Sequence, residues 1–169
     1  EIGRIALQRG DGPKAQRMAQ RAAQLDPLNP WYLQFLAQVY QNNGLPKEAA
    51  DTWQRLIAMD NEHSLEALEN LANLHIQNKS YNEAMECANA LEQKLGPQPE
   101  ILDQKKNIWL LLGKKEKAIK EIQRLVSLYP NELGHRLGLV QTFSAEGQYD
   151  KALSLLQEAL PLTENPNRA

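Results

Sequence analysis

The sequence predicts an all-α protein, an α-α superhelix of the solenoid type built from antiparallel helical hairpins. Two observations predict this fold class. Residue types recur with a period close to 34, and within each period the apolar residues follow the spacing of one helical face. The chain has 169 residues, so it holds just under five periods and is better described as an array than as one compact domain.

A recurrent alanine marks the second half of every period. These alanines stand 34 or 35 positions apart: Ala15, Ala49, Ala84, Ala118 and Ala152. Five residues before each of them comes a glycine, except in the third period, which has Lys79. Glycine suits the left-handed backbone that commonly ends a helix, and a small alanine lets two helices approach closely. Each period therefore predicts a helix, a tight turn and a second, antiparallel helix.

Prolines support the same division. Pro13 and Pro46 fit the first turn of a second helix, where no backbone N–H is required. The Leu160-Pro161 pair is expected to end the last helix and lead into a short tail. The predicted helix pairs are 1–9 with 13–25, 31–43 with 46–59, 65–78 with 81–94, 99–112 with 115–128, and 132–146 with 149–160. The predicted repeat boundaries are 1–29, 30–64, 65–98, 99–132 and 133–169, the first repeat being clipped at its start.

The residues at these positions resemble the tetratricopeptide repeat family. In the second period the pattern reads Leu33, Leu36, Ala37, Tyr40, Gly44, Ala49 and Trp53. The resemblance covers essentially the whole chain and implies a fragment of a longer protein of this family, which we expect to be bacterial. The fourth period departs from it, because Lys105 and Lys106 stand where an apolar and a small residue are usual. We expect their aliphatic stems to lie along the groove and their ammonium groups to reach water.

The sequence contains no constellation typical of an enzyme. It lacks glycine-rich phosphate loops, the HExxH zinc motif and the GxSxG nucleophile motif. Its single cysteine, Cys87, is read as a buried thiol. Of the three histidines, His75 is predicted to pack inside the fold, and His63 and His135 to be solvated. We therefore expect no catalysis, no metal site and no cofactor.

The resemblance implies that the first helix of each repeat lines a concave groove for a peptide or a helix. One groove phase carries four primary amides in register: Gln38, Asn73, Asn107 and Gln141. Nearby groove positions hold Gln34, Phe35, Asn70 and Gln104. Amides both donate and accept, so they suit an extended backbone of any sequence. Repeat duplication of a solvated face explains the register equally well.

Two further features of the first helices have alternative interpretations. Trp31 and Phe35 form an i, i+4 aromatic pair, of which Phe35 is the better groove candidate. Trp31 is either an aromatic anchor for a partner or packed against the preceding hairpin, and the second interpretation is slightly preferred. Gly134 and Gly138 either leave a notch in the groove wall or, as we expect, permit close helix packing.

Charge bears on the class of partner. The net charge is −2 and the isoelectric point is about 6.0, but residues 48–103 carry three basic and eleven acidic groups. This balance disfavours a helical-repeat RNA binder. The preferred function is a non-catalytic scaffold for a protein or peptide partner, and the alternative is self-association through solenoid ends. Localisation stays open between the cytoplasm and, with a signal peptide, the periplasm.

Overall fold

The computed structural model describes residues 2–60 and 62–164. These residues divide into two units, Glu1–Lys94 and Leu95–Ala169, and each is described by itself. In the first unit the helices are α1 (Ile2–Gln8), α2 (Gly12–Leu25), α3 (Pro30–Asn42), α4 (Pro46–Ala58), α5 (Ser64–Gln77) and α6 (Tyr81–Leu95, whose last residue belongs to the second unit). In the second unit they are α7 (Pro99–Leu111), α8 (Lys115–Leu128), α9 (Leu133–Ala145) and α10 (Tyr149–Glu164). The predicted all-α class is confirmed.

The end of α10 was predicted wrongly. The expected stop at Leu160-Pro161 does not occur, because the helix continues through Pro161 to Glu164. A proline inside a helix removes one backbone hydrogen bond, but it does not force the helix to end within the same turn. The predicted tail beyond Glu164 lies outside the described residues.

The turns inside the hairpins follow from the residue five positions before each alanine. Four glycines there have positive φ: Gly10, Gly44, Gly113 and Gly147, with values between 68° and 76°. Lys79 takes the same conformation at φ 60°, although it carries a side chain. The N–H after this residue donates back to the helix, as from Leu45 to the Tyr40 carbonyl at 2.9 Å. This bond satisfies a carbonyl that the helix end leaves open.

The recurrent alanines are buried between the helices. Ala15, Ala49 and Ala84 have no exposed surface, and Ala118 and Ala152 have almost none. In the first unit α2 packs against both α1 and α3, and Trp53 of α4 is fully buried, its Nε1 donating to Gln41 Oε1 at 3.1 Å. In the second unit a core forms between α8, α9 and α10 around Ile122, Leu139, Val140, Phe143 and Ala152. The remaining faces of the first helices are thereby left to the surface.

Candidate functional site

A groove of about 870 Å³ runs along the second unit, with α7 and α9 as its walls and α8 as its floor. We call it the second-unit groove. The residues that shape it are Asn107 of α7, Ile119 and Ile122 of α8, and Gly134, Gly138 and Gln141 of α9. The floor is apolar because Ala118, Ile122 and Leu125 of α8 face it while also being buried in the hairpins. A groove of this volume is within the range of ordinary ligand sites.

Two of the four predicted amides line this groove. Asn107 and Gln141 are both exposed, and they line opposite walls. The other two belong to the first unit: Gln38 lines a groove there, and Asn73 is exposed on α5. Each side chain offers a donor and an acceptor, so the pair in the second-unit groove suits the N–H and C=O groups of a bound chain.

Two other predicted groove residues are placed differently. The Asn70 Nδ2 donates to the carbonyl of Glu66 at 2.8 Å, one turn earlier in the same helix. Its side chain is therefore partly committed to its own backbone. Gln104 is half-buried on α7. Both remain predictions as binding residues.

Gly134 and Gly138 do not serve close helix packing, and that expectation was wrong. A Cβ atom built on either glycine meets nothing within 4 Å. Both residues line the second-unit groove, so the missing side chains widen it. Gly134 is also the second residue of α9 and not a mid-helix residue as the sequence suggested. The spacing showed that the two glycines share a face, but not that the face is open.

Lys105 does not reach water, which corrects a second expectation. Only 7% of Lys105 is exposed, and its Nζ lies 3.5 Å from Oε1 of Glu121, which is equally buried. Arg124 pairs with the other oxygen of Glu121 at 2.7 Å. A buried lysine requires a buried counter-charge, and Glu121 supplies it from the neighbouring helix. The sequence analysis missed this pair, although a signal was present. Lys105 stands at a position that is usually apolar, and Glu121, 16 residues later, lies on the same face of α8 as the buried Ala118.

Other lysines of the fourth period are also engaged. Lys106 pairs with Asp103 at 2.7 Å, and Lys115 with Glu146 at 3.1 Å, both along the second-unit groove. The Nζ of Lys117 lies 4.4 Å from the centre of the Trp109 ring, a cation–π geometry. Much of the lysine charge that seemed available to steer a partner is thus balanced locally.

A second groove, of about 680 Å³, lies in the first unit between α1, α2 and α3. We call it the first-unit groove. Its lining includes Met18 of α2 and four predicted residues of α3, namely Trp31, Gln34, Phe35 and Gln38. The sequence analysis did not identify Arg4 and Met18 as groove residues, because the first period is incomplete and its first helix could not be aligned with those of the other periods.

The aromatic pair of α3 occupies this groove. Phe35 is half-buried, and its Cε1 lies only 2.9 Å from where a Cβ of Gly3 would stand, so the ring rests directly on α1. Trp31 is 65% exposed, and its ring makes an edge contact with His63 at 4.6 Å between centroids. The slightly preferred expectation was that Trp31 packs against the preceding hairpin, but the ring is mostly exposed and its aromatic contact is with His63, in the turn that follows α4. His63 thus supports the Trp31 ring on one side, while most of the ring stays exposed at the edge of the first-unit groove.

The histidines and the cysteine show no reactive grouping. His63 was expected to be solvated, but only 11% of its side chain is exposed. His135 is half-buried beside Tyr129 and lines the second-unit groove. Burial lowers the pKa of His75, as its packing role predicts, and burial raises the pKa of the Cys87 thiol to about 11. Among the described residues no group of histidine, cysteine, aspartate and glutamate side chains is arranged to hold a metal ion.

None of the helices in the described part of the chain is long and apolar enough to cross a membrane.

The fold and its two grooves define a helical-repeat protein of the class whose members typically act as non-catalytic protein-interaction scaffolds. Sequence profiles described as tetratricopeptide repeat match residues 32–99, 107–132 and 135–169. The chain belongs to the tetratricopeptide repeat family.

Solved structures of other helical-repeat proteins share the fold of this chain. A crystal structure of MamA has a TM-score of 0.68 at 20% identity, covering 100% of this chain and 98% of that one. MamA from Desulfovibrio magneticus RS-1 gives 0.65 at 18%, covering 99% and 94%. A putative kinesin light chain of Podosopora anserina with nearly identical TPR-like repeats gives 0.63 at 18%, also covering 99% and 94%. At these identities the likeness concerns the fold. Among curated proteins, none matches this chain.

Proposed function

We propose that this protein is a non-catalytic scaffold that binds a peptide or a helix of a partner protein, and that the second-unit groove is one of its binding sites. The observation that carries the proposal is the open groove with Asn107 and Gln141 on opposite walls of an apolar floor. The amides provide hydrogen bonds for a backbone of any sequence, and the floor accepts apolar side chains.

The lining of the groove supports binding over catalysis. Its ionisable side chains are largely paired with each other, as in Lys106 with Asp103 and Lys115 with Glu146. Such pairs lower the cost of keeping charges at a contact surface, and they take these four side chains out of acid–base and nucleophilic chemistry. Glu100 stands exposed at the edge of the same groove, where it can meet a basic residue of the partner.

The test is the double variant Asn107→Ala with Gln141→Ala. A peptide is first selected from a random library displayed on phage against the wild-type chain, and its affinity is then measured by fluorescence anisotropy. Losing one or two hydrogen bonds to each amide is expected to weaken the affinity about tenfold or more. The far-ultraviolet circular dichroism should stay unchanged because both side chains are exposed.

The matched control is Asn131→Ala with Gln157→Ala, which removes one exposed asparagine and one exposed glutamine of the second unit outside the groove. This control is expected to bind like the wild type. Equal affinities for all three proteins would refute the assignment of the second-unit groove.

A specific observation also favours self-association as a second candidate. On α10 four large apolar side chains are exposed at positions i, i+4, i+7 and i+11, which share one helical face: Tyr149, Leu153, Leu156 and Leu160. We propose that two copies pair through this face. Sedimentation velocity should then show a dimer for the wild type and a monomer for Leu153→Gln with Leu156→Gln. A monomeric wild type at the highest soluble concentration would end this candidate.

A further inference from the structure

Large apolar side chains converge on the first-unit groove while remaining exposed. Ile2, Met18, Trp31 and Tyr32 are between 37% and 65% exposed, and all four line this groove. Single exposed apolar residues are ordinary on a protein surface, but a converging group marks an interaction site. Aromatic residues and methionine are the types enriched at the centres of protein interfaces.

An unsatisfied acceptor belongs to Gln34, one of the residues that line this groove. The Gln34 Oε1 is buried, and among the described residues no donor reaches it. The orientation of this amide is fixed, because its Nε2 donates to the Glu66 carboxylate at 2.5 Å and a flipped amide would set two acceptors against each other. A buried acceptor without a hydrogen bond destabilises the free protein. A backbone N–H from a bound chain would remove that cost when the side chains that cover this oxygen move aside on binding.

The charge beside the first-unit groove is positive. Arg4 is the charged residue among those that line it. Residues 2–25, which form α1 and α2, carry five basic side chains and one acidic one. That one, Asp11, accepts a hydrogen bond from the Lys14 N–H at 3.0 Å and caps α2. The hairpin that borders the groove therefore attracts an acidic ligand.

We propose that the first-unit groove binds an acidic protein segment that carries a large apolar side chain. The apolar side chain enters between Met18, Trp31 and Phe35, a backbone N–H of the segment donates to Gln34 Oε1, and its carboxylates lie toward Arg4. This inference rests on the proposed function, since it names the partner chemistry for one groove of the scaffold. A protein segment fits better than a nucleic acid, because the groove combines one basic side chain, Arg4, with a mostly apolar lining and so offers little to a continuous row of phosphates.

The test is the same selection from a random peptide library, read this time for sequence. The peptides recovered on the wild-type chain are expected to combine aspartate or glutamate with a large aliphatic or aromatic residue. Their binding should change the fluorescence of the exposed Trp31 and weaken with rising salt. Single-stranded RNA is added as a competitor and should not displace them.

Two variants and a control locate the site. Arg4→Glu is expected to weaken binding about tenfold and to reduce its salt dependence, whereas Arg55→Glu, an equal charge change on an exposed residue of α4, should leave binding unchanged. Gln34→Met removes the acceptor at nearly constant size, so it should weaken binding without lowering the thermal midpoint.

The outcomes separate this inference from the proposed function. Recovered peptides that bind normally to Arg4→Glu and Gln34→Met, but poorly to Asn107→Ala with Gln141→Ala, overturn the inference and leave the scaffold proposal standing. Recovery of basic peptides, or displacement by RNA, also overturns it. Recovery of no peptide at all overturns both.

Discussion

Gly138 offers a direct test of whether the wall of the second-unit groove is open. It lies inside α9, where glycine is about 1 kcal/mol less favourable than alanine. A Cβ at this position meets nothing within 4 Å, so Gly138→Ala should gain that free energy without any clash. For a unit of this size the gain corresponds to a rise of roughly 2–8 °C in the thermal midpoint. Thermal unfolding followed by far-ultraviolet circular dichroism measures it.

Gly147 provides the matched control. A Cβ there also meets nothing within 4 Å, but φ is +71°, so Gly147→Ala should lose about 1–2 kcal/mol through the backbone alone. The two substitutions differ in backbone conformation and not in available space. A lower midpoint for Gly138→Ala would mean that the glycine is packed closely after all. Gly138→Leu should then be compared for binding, because it fills the groove and is expected to weaken peptide affinity while the fold is kept.

Three further predictions concern the fold. Lys105→Ala should destabilise the protein by about 3 kcal/mol, because Glu121 is left buried with less counter-charge, whereas Lys105→Met with Glu121→Met should destabilise it clearly less. The midpoints of urea unfolding measure both losses, and equal losses would contradict the buried pair. Lys79→Gly should raise the free energy of unfolding by about 1 kcal/mol, because glycine takes the left-handed conformation without a Cβ penalty. The thermal midpoint should rise with it, and a fall would show that the Lys79 side chain contributes more than its conformation costs. Burial lowers the pKa of His75 below its usual 6.5, so its contribution to stability is present above pH 6.5 and is lost as the pH falls through the folded pKa. His75→Gln should therefore flatten this part of the dependence of unfolding free energy on pH. An unchanged dependence would assign the slope to other groups.

The fold was largely predictable because its signals are local. A glycine or its substitute Lys79, a proline and a small alanine each act through their own backbone or size, so their spacing fixes where helices start, stop and touch. The observed helix bounds lie within one residue of the predicted ones, apart from the end of α10. There Pro161 is the local signal, and the helix nevertheless continues past it.

The candidate site was less predictable because its properties depend on neighbours distant in sequence. The period places Lys105 on an apolar face, but only the packed hairpin brings Glu121 to it. Likewise, the sequence identified Trp31 and Phe35, but not the support that His63 and Gly3 give them. The amides Asn107 and Gln141 were predictable as a pair because repeat spacing carries them to equivalent positions on α7 and α9, the two opposite walls of the groove.

The presence of a different groove in each unit of one chain has a consequence for avidity. A partner with one motif for each groove would bind the second motif as an intramolecular event, at an effective concentration set by the length of the linker between its motifs. Two individually weak contacts then produce a long-lived complex, and they do so only for partners that carry both motifs in compatible spacing. Selectivity in such a scaffold comes from the combination of motifs, so each groove alone can stay tolerant of sequence.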